Sequence, residues 1–577
     1  MVTRQIFFID ELVNRIVAFL KRLLIQRLMF ILRSIQDGVV GIPRLFDKPE
    51  APFWRGLRWI PTRVLVCLMM FTACWTNYVC RLQMPILAVP MIKAVAKPNV
   101  TEGVCRSSDE FRVRRAVSWL DPGAYLDSYI LSEQIEAAED EMIAKMHNVR
   151  VRRNNDEQVT RPSSGPIELF NGLPFDWRPE IRGQLIAAYS YGNVPGNFIG
   201  GVMAVKWGPK NAILWTSIVA AVVSLISPIL AQFHWGVLLF SRIIVGLTGG
   251  ITFPACHALV AQWAPPNERA RFVWSLLGGT FGTILTYPMV AGIAESTNWE
   301  SGWYIPSLLM MVWIVVWAIV TYDSPLEHPG ITEEEREYIT SAQAGTVRKE
   351  KPSLKETPMK EIFSSIPFLS LLCCHFGNMF LLFFYQNVMM LYLTRALGFE
   401  LTKGGIAAGL PWGCRMLFGF FFSWAGDTLK RKEIVSVTII RKGAMVFSHF
   451  LPGIFLLLVG YVGCNFVLAN VFLVLALGFN GAASIANLSN NQDLSPNFAG
   501  FLYGIMNTAG CASGIIISPM VEEIAGKYGD PIDRWQILFW ISSGVCIASM
   551  IVFLFGGSGR IQSWNEVRSR PDAELAT

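Results

Sequence analysis

The sequence predicts an all-α membrane protein, with twelve transmembrane helices in two pseudo-symmetric six-helix bundles. Three observations carry this. The 577-residue chain is 52% hydrophobic and only 16% charged, whereas soluble chains are about 25% charged. Its mean hydropathy is +0.40, and apolar runs long enough to cross ~30 Å of hydrocarbon recur along it. A polar stretch near the middle divides those runs into two sets of six. Helices are the natural spanning element, because a backbone in lipid must satisfy its own hydrogen bonds.

The chain opens with "QIFFIDELVNRIVAFLKRLLIQRLMFILR" (5–33). Charges interrupt its apolar residues at helical spacing. That suits an amphipathic helix lying on a membrane surface, not a signal peptide or a span. The spans follow at roughly 62–88, 182–205, 211–232, 236–262, 272–294, 302–322, 364–393, 404–425, 442–462, 466–489, 498–521 and 535–556. The domain reading is an N-terminal segment 1–61, an N-terminal bundle 62–322 with a long loop near 95–180, a linker 323–363, a C-terminal bundle 364–557 and a tail 558–577.

Loop charges set the expected orientation. Lys206 and Lys210 follow the second span, Arg269 and Arg271 the fourth, and Lys430, Arg431 and Lys432 the eighth. The short loops "AQFHWG" and "YVGCNF" carry no Lys or Arg. The positive-inside rule then puts both termini and the linker in the cytosol. The 95–180 loop falls on the other side, where Asn99 opens a glycosylation sequon, Asn99-Val100-Thr101. A second sequon at Asn487 lies inside the tenth span and is expected to stay unmodified. In the linker, Thr332 and Glu335 have capping-box spacing and predict a short polar helix.

The net charge of +6 matches basic cytosolic loops and does not suggest nucleic-acid binding. The eleven cysteines form no CxxC pair, so no metal site is expected, and most read as small core residues. Cys105 and Cys464 fall on the same, non-cytosolic side, where a disulfide between them is allowed.

Two stretches six spans apart resemble each other. "GVMAVKWGPK" (201–210) follows the second span and "SWAGDTLKRK" (423–432) the eighth. Both read as tight basic turns, and such an internal repeat is a common transporter build. In the second copy, Asp427 ahead of Lys430 and Arg431 predicts an acid–base latch on one conformation.

Charges inside spans are functional hypotheses by default. Arg81, Arg242 and Arg415 lie in spans one, four and eight, and His257, His375 and His449 add titratable rings, with no carboxylate well inside any span. Cations without acids call for an anion, because a guanidinium forks onto carboxylate or phosphate. The alternative for each arginine is a stem in lipid with its head snorkelling to the interface. For each histidine it is a structural hydrogen bond. At 100° per residue, Gly249 falls within ~20° of Arg242 and His257 within ~60°, on one broad helix face. Pro254, Pro411 and Pro519 mark places where helices can bend.

The motifs "NYVCR" (77–81), "TFPACHALVAQWAPPNER" (252–269), "YDSPLEHPGITEEEREYI" (322–339) and "NNQDLSPNFAGFLYGIMNTAG" (490–510) resemble the major facilitator superfamily. Within it they resemble solute carrier family seventeen, the organic anion carriers of the sialin, vesicular glutamate and sodium–phosphate types. The resemblance implies anion-binding and transport roles for Arg81, Arg242 and His257. It also exposes departures. Sialin- and glutamate-type members typically carry a glutamate implicated in proton coupling where this chain has Gly249. Glutamate-type members carry an arginine at the position of Asn378. The second span reads "YSYGN" where "FFWGY" is usual. Arg415 is an addition, able to replace the cation missing at 378.

The expected function is therefore alternating-access transport of a small organic or inorganic anion. Arg81, Arg242, Arg415, His257 and Asn378 would hold it, and His257, Gly249, Asp427, Lys430 and Arg431 would couple or gate. No cofactor is expected beyond a co-transported Na⁺ or H⁺, and membrane potential alone is a third source of drive. The expected state is a monomer in the plasma membrane or a lysosomal or vesicular membrane. An anion uniporter or channel, and a transport-inactive anion sensor, are the rival readings on the same fold. No nucleophile–base pair points to an enzyme.

Overall fold

The computed structural model describes residues 60–93, 172–343 and 357–565, apart from 266–267, 269–271, 273 and 497. The amphipathic head, Asn99, Cys105, Arg269 and Arg271 lie outside the described residues. Among the described residues, twelve long helices cross the fold. They are α1 Thr62–Met91, α2 Pro179–Trp207, α3 Pro209–Phe233, α4 Trp235–Trp263, α5 Trp274–Ser296, α6 Ser301–Val320, α7 Ile366–Ala396, α8 Leu401–Arg431, α9 Val437–Tyr461, α10 Phe466–Ser484, α11 Phe501–Tyr528 and α12 Ile532–Gly556.

Eleven of these are long and apolar enough to span a membrane. The other, α2, has 29 residues, with glycine, asparagine and tyrosine lowering its hydropathy. Close packing explains that composition. A Cβ at Gly192 would overlap the Ile243 carbonyl, and one at Gly246 would overlap the Tyr189 carbonyl. The backbones of α2 and α4 therefore touch, as small residues permit in membranes. Large apolar side chains such as Trp215, Phe240, Phe421 and Phe555 are exposed on the outside of the bundle, as a lipid-facing surface requires.

Helices α1–α6 pack mainly with one another, as do α7–α12, and the halves meet along α5–α8, α2–α11 and α1–α7. The end of the bundle from which residues 94–171 leave and to which they return is the loop end. The opposite end, facing residues 321–365, is the linker end. At the loop end Lys93 N donates to Phe175 O at 2.9 Å, and Phe175 N to Met91 O at 2.7 Å. These bonds tie the end of α1 to the entry of α2. Cys464 is disulfide-bonded.

Several boundary expectations need correction. The two repeat stretches are not tight turns throughout, because helix continues to Trp207 in the first and to Arg431 in the second. A left-handed glycine, Gly208 at φ 80°, makes the first break. The α-helical part of α10 ends at Asn480 and gives way to a 3-10 turn through Ser484, short of residue 489. α9 contains a π segment, Val446–Phe450, and α7 ends in another, Tyr392–Ala396. Such segments are frequent at functional sites.

The linker helix, Glu333–Gln343, forms as expected, but its capping box closes only halfway. Glu335 N donates to Thr332 Oγ1 at 3.3 Å, while the Glu335 carboxylate accepts Thr62 N at 2.8 Å and Arg63 N at 3.0 Å. The acid caps the free amides at the start of α1 instead of its own helix.

Candidate functional site

Arg81 sits on α1 at the seam between the halves. Its Cζ lies 5.4 Å from the Tyr78 ring centroid, 5.2 Å from Tyr189 on α2 and 4.3 Å from Phe383 on α7. Aromatic faces can hold a guanidinium by cation–π attraction, but they do not occupy its N–H groups. Nε and Nη2 are buried without a hydrogen-bond partner. An unsatisfied buried donor is unfavourable, and a charged one more so, unless a ligand completes it.

Across the seam, Arg415 on α8 donates from Nε to Asn480 Oδ1 at 3.0 Å. The Asn480 amide donates onward to Asn378 Oδ1 and to Ser448 O, each at 3.0 Å. The Asn378 amide nitrogen is buried and unpartnered. The two positions compared in the sequence, 378 and 415, are thus linked through one amide that sequence reading missed. The Tyr78 ring faces Arg81, and both cations sit on helices that join the halves: Arg81 on α1 against Phe383 of α7, and Arg415 on α8, which packs on α5.

Arg242 is placed differently. It is fully buried, donates to Cys80 O on α1 and lies 5.0 Å from the Trp303 ring on α6. It faces the interior of the N-terminal half behind Arg81, with Nε and Nη1 unpartnered. His257 is exposed and lies fifteen residues beyond Arg242, ~22 Å along the helix. One small anion cannot touch both, so the shared helix face does not make a shared contact set.

At Gly249 the surroundings form a neutral network. Asn77 Nδ2 donates to Gly249 O at 2.9 Å, and Tyr189 Oη donates to Asn77 Oδ1 at 3.0 Å. A Cβ at 249 would overlap the Tyr189 hydroxyl. His375 and His449 take structural places. Asn487 Nδ2 lies 3.1 Å from His375 Nδ1, and His449 bridges Ser448 Oγ at 2.7 Å and Cys374 O at 3.1 Å.

The predicted latch needs correction. Asp427 is exposed and does not pair with Lys430 or Arg431. The acid beside Lys430 is Asp493, at 3.9 Å, and Asp493 is held mainly by Arg441 at 2.6 Å. Asp427 projects from a continuous helix, so its spacing to Lys430 is not that of a turn.

Two helical bundles meeting along a polar seam that holds unpaired cations define a membrane carrier of two-domain build. The chain belongs to the Major Facilitator Superfamily, whose sequence pattern matches residues 168–519, and within it to solute carrier family seventeen. It is 30% identical to vesicular glutamate transporter 1 of Bos taurus, over 68% of this chain and 70% of that one. It is 28% identical to human sialin, over 72% and 84%. In fold it resembles a D-xylose–proton symporter, with a TM-score of 0.55 at 11% identity over 87% of this chain and 99% of that one. A bacterial homologue of the human lysosomal transporter Spinster gives a TM-score of 0.55 at 10% identity, over 87% and 99%.

Proposed function

We propose that the protein is a secondary transporter of small organic or inorganic anions, working by alternating access between its halves. The observation that carries this is Arg81, a guanidinium at the seam with Nε and Nη2 buried and unpartnered. A carboxylate or phosphate oxygen is the matching acceptor. Arg81 supplies the cation of the N-terminal half and Arg415 that of the C-terminal half, with Asn378 offering its free amide beside it. Arg242 supports the first layer from behind. His257 serves the path toward the linker end instead of the bound anion.

The protein acts as a monomer, with its termini and linker in the cytosol, in a vesicular, lysosomal or surface membrane. The names of its relatives, a vesicular glutamate transporter and sialin, support an organic anion. With Tyr189 filling the space beside Gly249, proton coupling through an acid at that position is unavailable. Na⁺, H⁺ bound elsewhere, or membrane potential would drive the cycle. The test is uptake into proteoliposomes across a panel of anions, with and without Na⁺ and a pH gradient. Counterflow distinguishes a carrier from a channel, and binding without flux would identify a sensor.

A further inference from the structure

At the loop end the two halves border a cavity of about 360 Å³. Val89, Ile92 and Lys93 line it from the end of α1, and Arg395, Phe399 and Leu401 from the end of α7, the following turn and the start of α8. Its position follows from how these segments end. The carbonyls at the end of α1 have no partner within the helix and carry partial negative charge. Arg395 takes two of them, with Nη2 donating to Val89 O and to Ile92 O. It reaches across from the π segment Tyr392–Ala396. Beyond that segment Gly398, at φ 75°, turns the chain into α8, which brings Phe399 and Leu401 to the cavity.

Two of the lining side chains are cations and none is an acid. Arg395 spends only Nη2 on α1, and its Nε and Nη1 make no hydrogen bond to a described residue. Lys93 is exposed, and among the described residues no acid pairs with it. The buried acids at this end, Glu522 and Asp530, are taken by Arg182. Its Nε and Nη2 donate to the two Glu522 carboxylate oxygens at 2.6 Å, and Nη2 also to Asp530 Oδ2 at 3.4 Å. Glu400 is taken by Lys403 at 2.8 Å. The remaining walls are mostly apolar. A volume of this size with few polar groups fits a small organic ligand, whereas chloride or inorganic phosphate would leave most of the apolar wall uncovered.

We propose that this cavity is a second anion site, separate from the central one, for an organic anion with an apolar body, such as an aryl- or alkyl-carboxylate. Its carboxylate meets Lys93 and the free nitrogens of Arg395, as charge-assisted bonding favours. Its body covers Val89, Ile92, Phe399 and Leu401. Both halves contribute walls, so the cavity is complete only while the ends of α1, α7 and α8 stay together. An occupant therefore favours the state closed at the loop end and holds back exchange between states, a consequence that rests on the alternating-access reading. Binding there is inhibitory and does not compete at Arg81.

Equilibrium dialysis of labelled phenylbutyrate against the full-length protein in neutral phosphatidylcholine nanodiscs, with empty discs as blank, tests this without any transport. Saturable binding is expected, with acetate and chloride competing far more weakly. Lys93→Glu changes an exposed side chain and should weaken binding roughly tenfold or more, as loss of a charge-assisted contact implies. Leu401→Trp should also weaken it, by filling the cavity, and Arg81→Ala should leave it unchanged. Bound phenylbutyrate should slow hydrogen exchange in the last turns of α1 and α7. Absence of saturable binding, equal competition by acetate or chloride, loss of binding in Arg81→Ala, or full binding in both Lys93→Glu and Leu401→Trp would each overturn the proposal. Stronger competition by a short-chain phosphatidic acid would assign the cavity to a lipid headgroup and overturn it as well, and binding without slowed exchange would overturn the inhibitory role. Anion uptake can fail without affecting either readout, so the two readings are tested separately.

Discussion

The hydroxyl of Tyr189 occupies the space that a side chain at Gly249 would need, and it donates to Asn77 Oδ1 at 3.0 Å. Position 249 is therefore closed by packing as well as empty of charge. Gly249→Glu alone should fold poorly, with overpacking of about 1–3 kcal/mol added to an unpaired buried charge. Tyr189→Ala/Gly249→Glu should recover part of that stability and make uptake depend more steeply on a pH gradient. Thermal melts and uptake at several gradients read both effects. A Gly249→Glu protein as stable as wild type would show that the Tyr189 network is not the obstacle.

The cations should separate by kinetics. A charge-assisted hydrogen bond contributes about 1.5–3 kcal/mol, so Arg415→Ala should raise KM for the anion by ~10-fold or more. Arg242→Ala should mainly lower thermal stability, since that side chain packs on Cys80 O and Trp303, with a smaller change in KM. Concentration series on the purified variants settle the order, and a larger KM effect at Arg242 would move the site inward.

Asn480 joins Arg415 to Asn378. Asn480→Ala should leave the anion site charged but loosely aimed, raising KM by roughly threefold to tenfold, as loss of one neutral hydrogen bond implies. Asn480→Asp should be worse, because its carboxylate would bind Arg415 and compete with the substrate. Uptake unchanged in both would remove Asn480 from the site.

The linker carries its own pH dependence. His328 is buried; Gly330 N donates to its Nδ1 at 3.0 Å and Nε2 lies 3.2 Å from Val320 O, which fixes a neutral ring. Burial holds its pKa down at about 4, below the ordinary ~6.5. The unfolded chain therefore binds the extra proton first, and stability is present above about pH 6.5 and declines toward pH 4. Melting temperature should fall over that window in wild type and less steeply in His328→Gln. Identical slopes would show that another group sets the acid limit.

Eleven of the spans were legible because hydropathy and length define a membrane helix, and Arg81 was legible because a cation in an apolar run is conspicuous. Its aromatic neighbours were not. Tyr189 lies 112 residues from Asn77 in sequence, and only the packing of α2 against α1 and α4 brings them together. Arg182 and Glu522 lie 340 residues apart, each at a span end, where a charge reads as an ordinary interfacial one. The spacing of Asp427 and Lys430 reads as a turn in sequence, but the helix continues through both and the acid beside Lys430 is Asp493.

Arg81 is the residue on which anion transport depends most. Counterflow of small carboxylates and phosphate in proteoliposomes, wild type against Arg81→Ala and Arg81→Lys, tests it most directly. Uptake should be saturable and trans-stimulated in wild type, abolished in Arg81→Ala and only partly retained in Arg81→Lys, because an ammonium lacks the fork. Undiminished anion counterflow in a folded Arg81→Ala protein would contradict it.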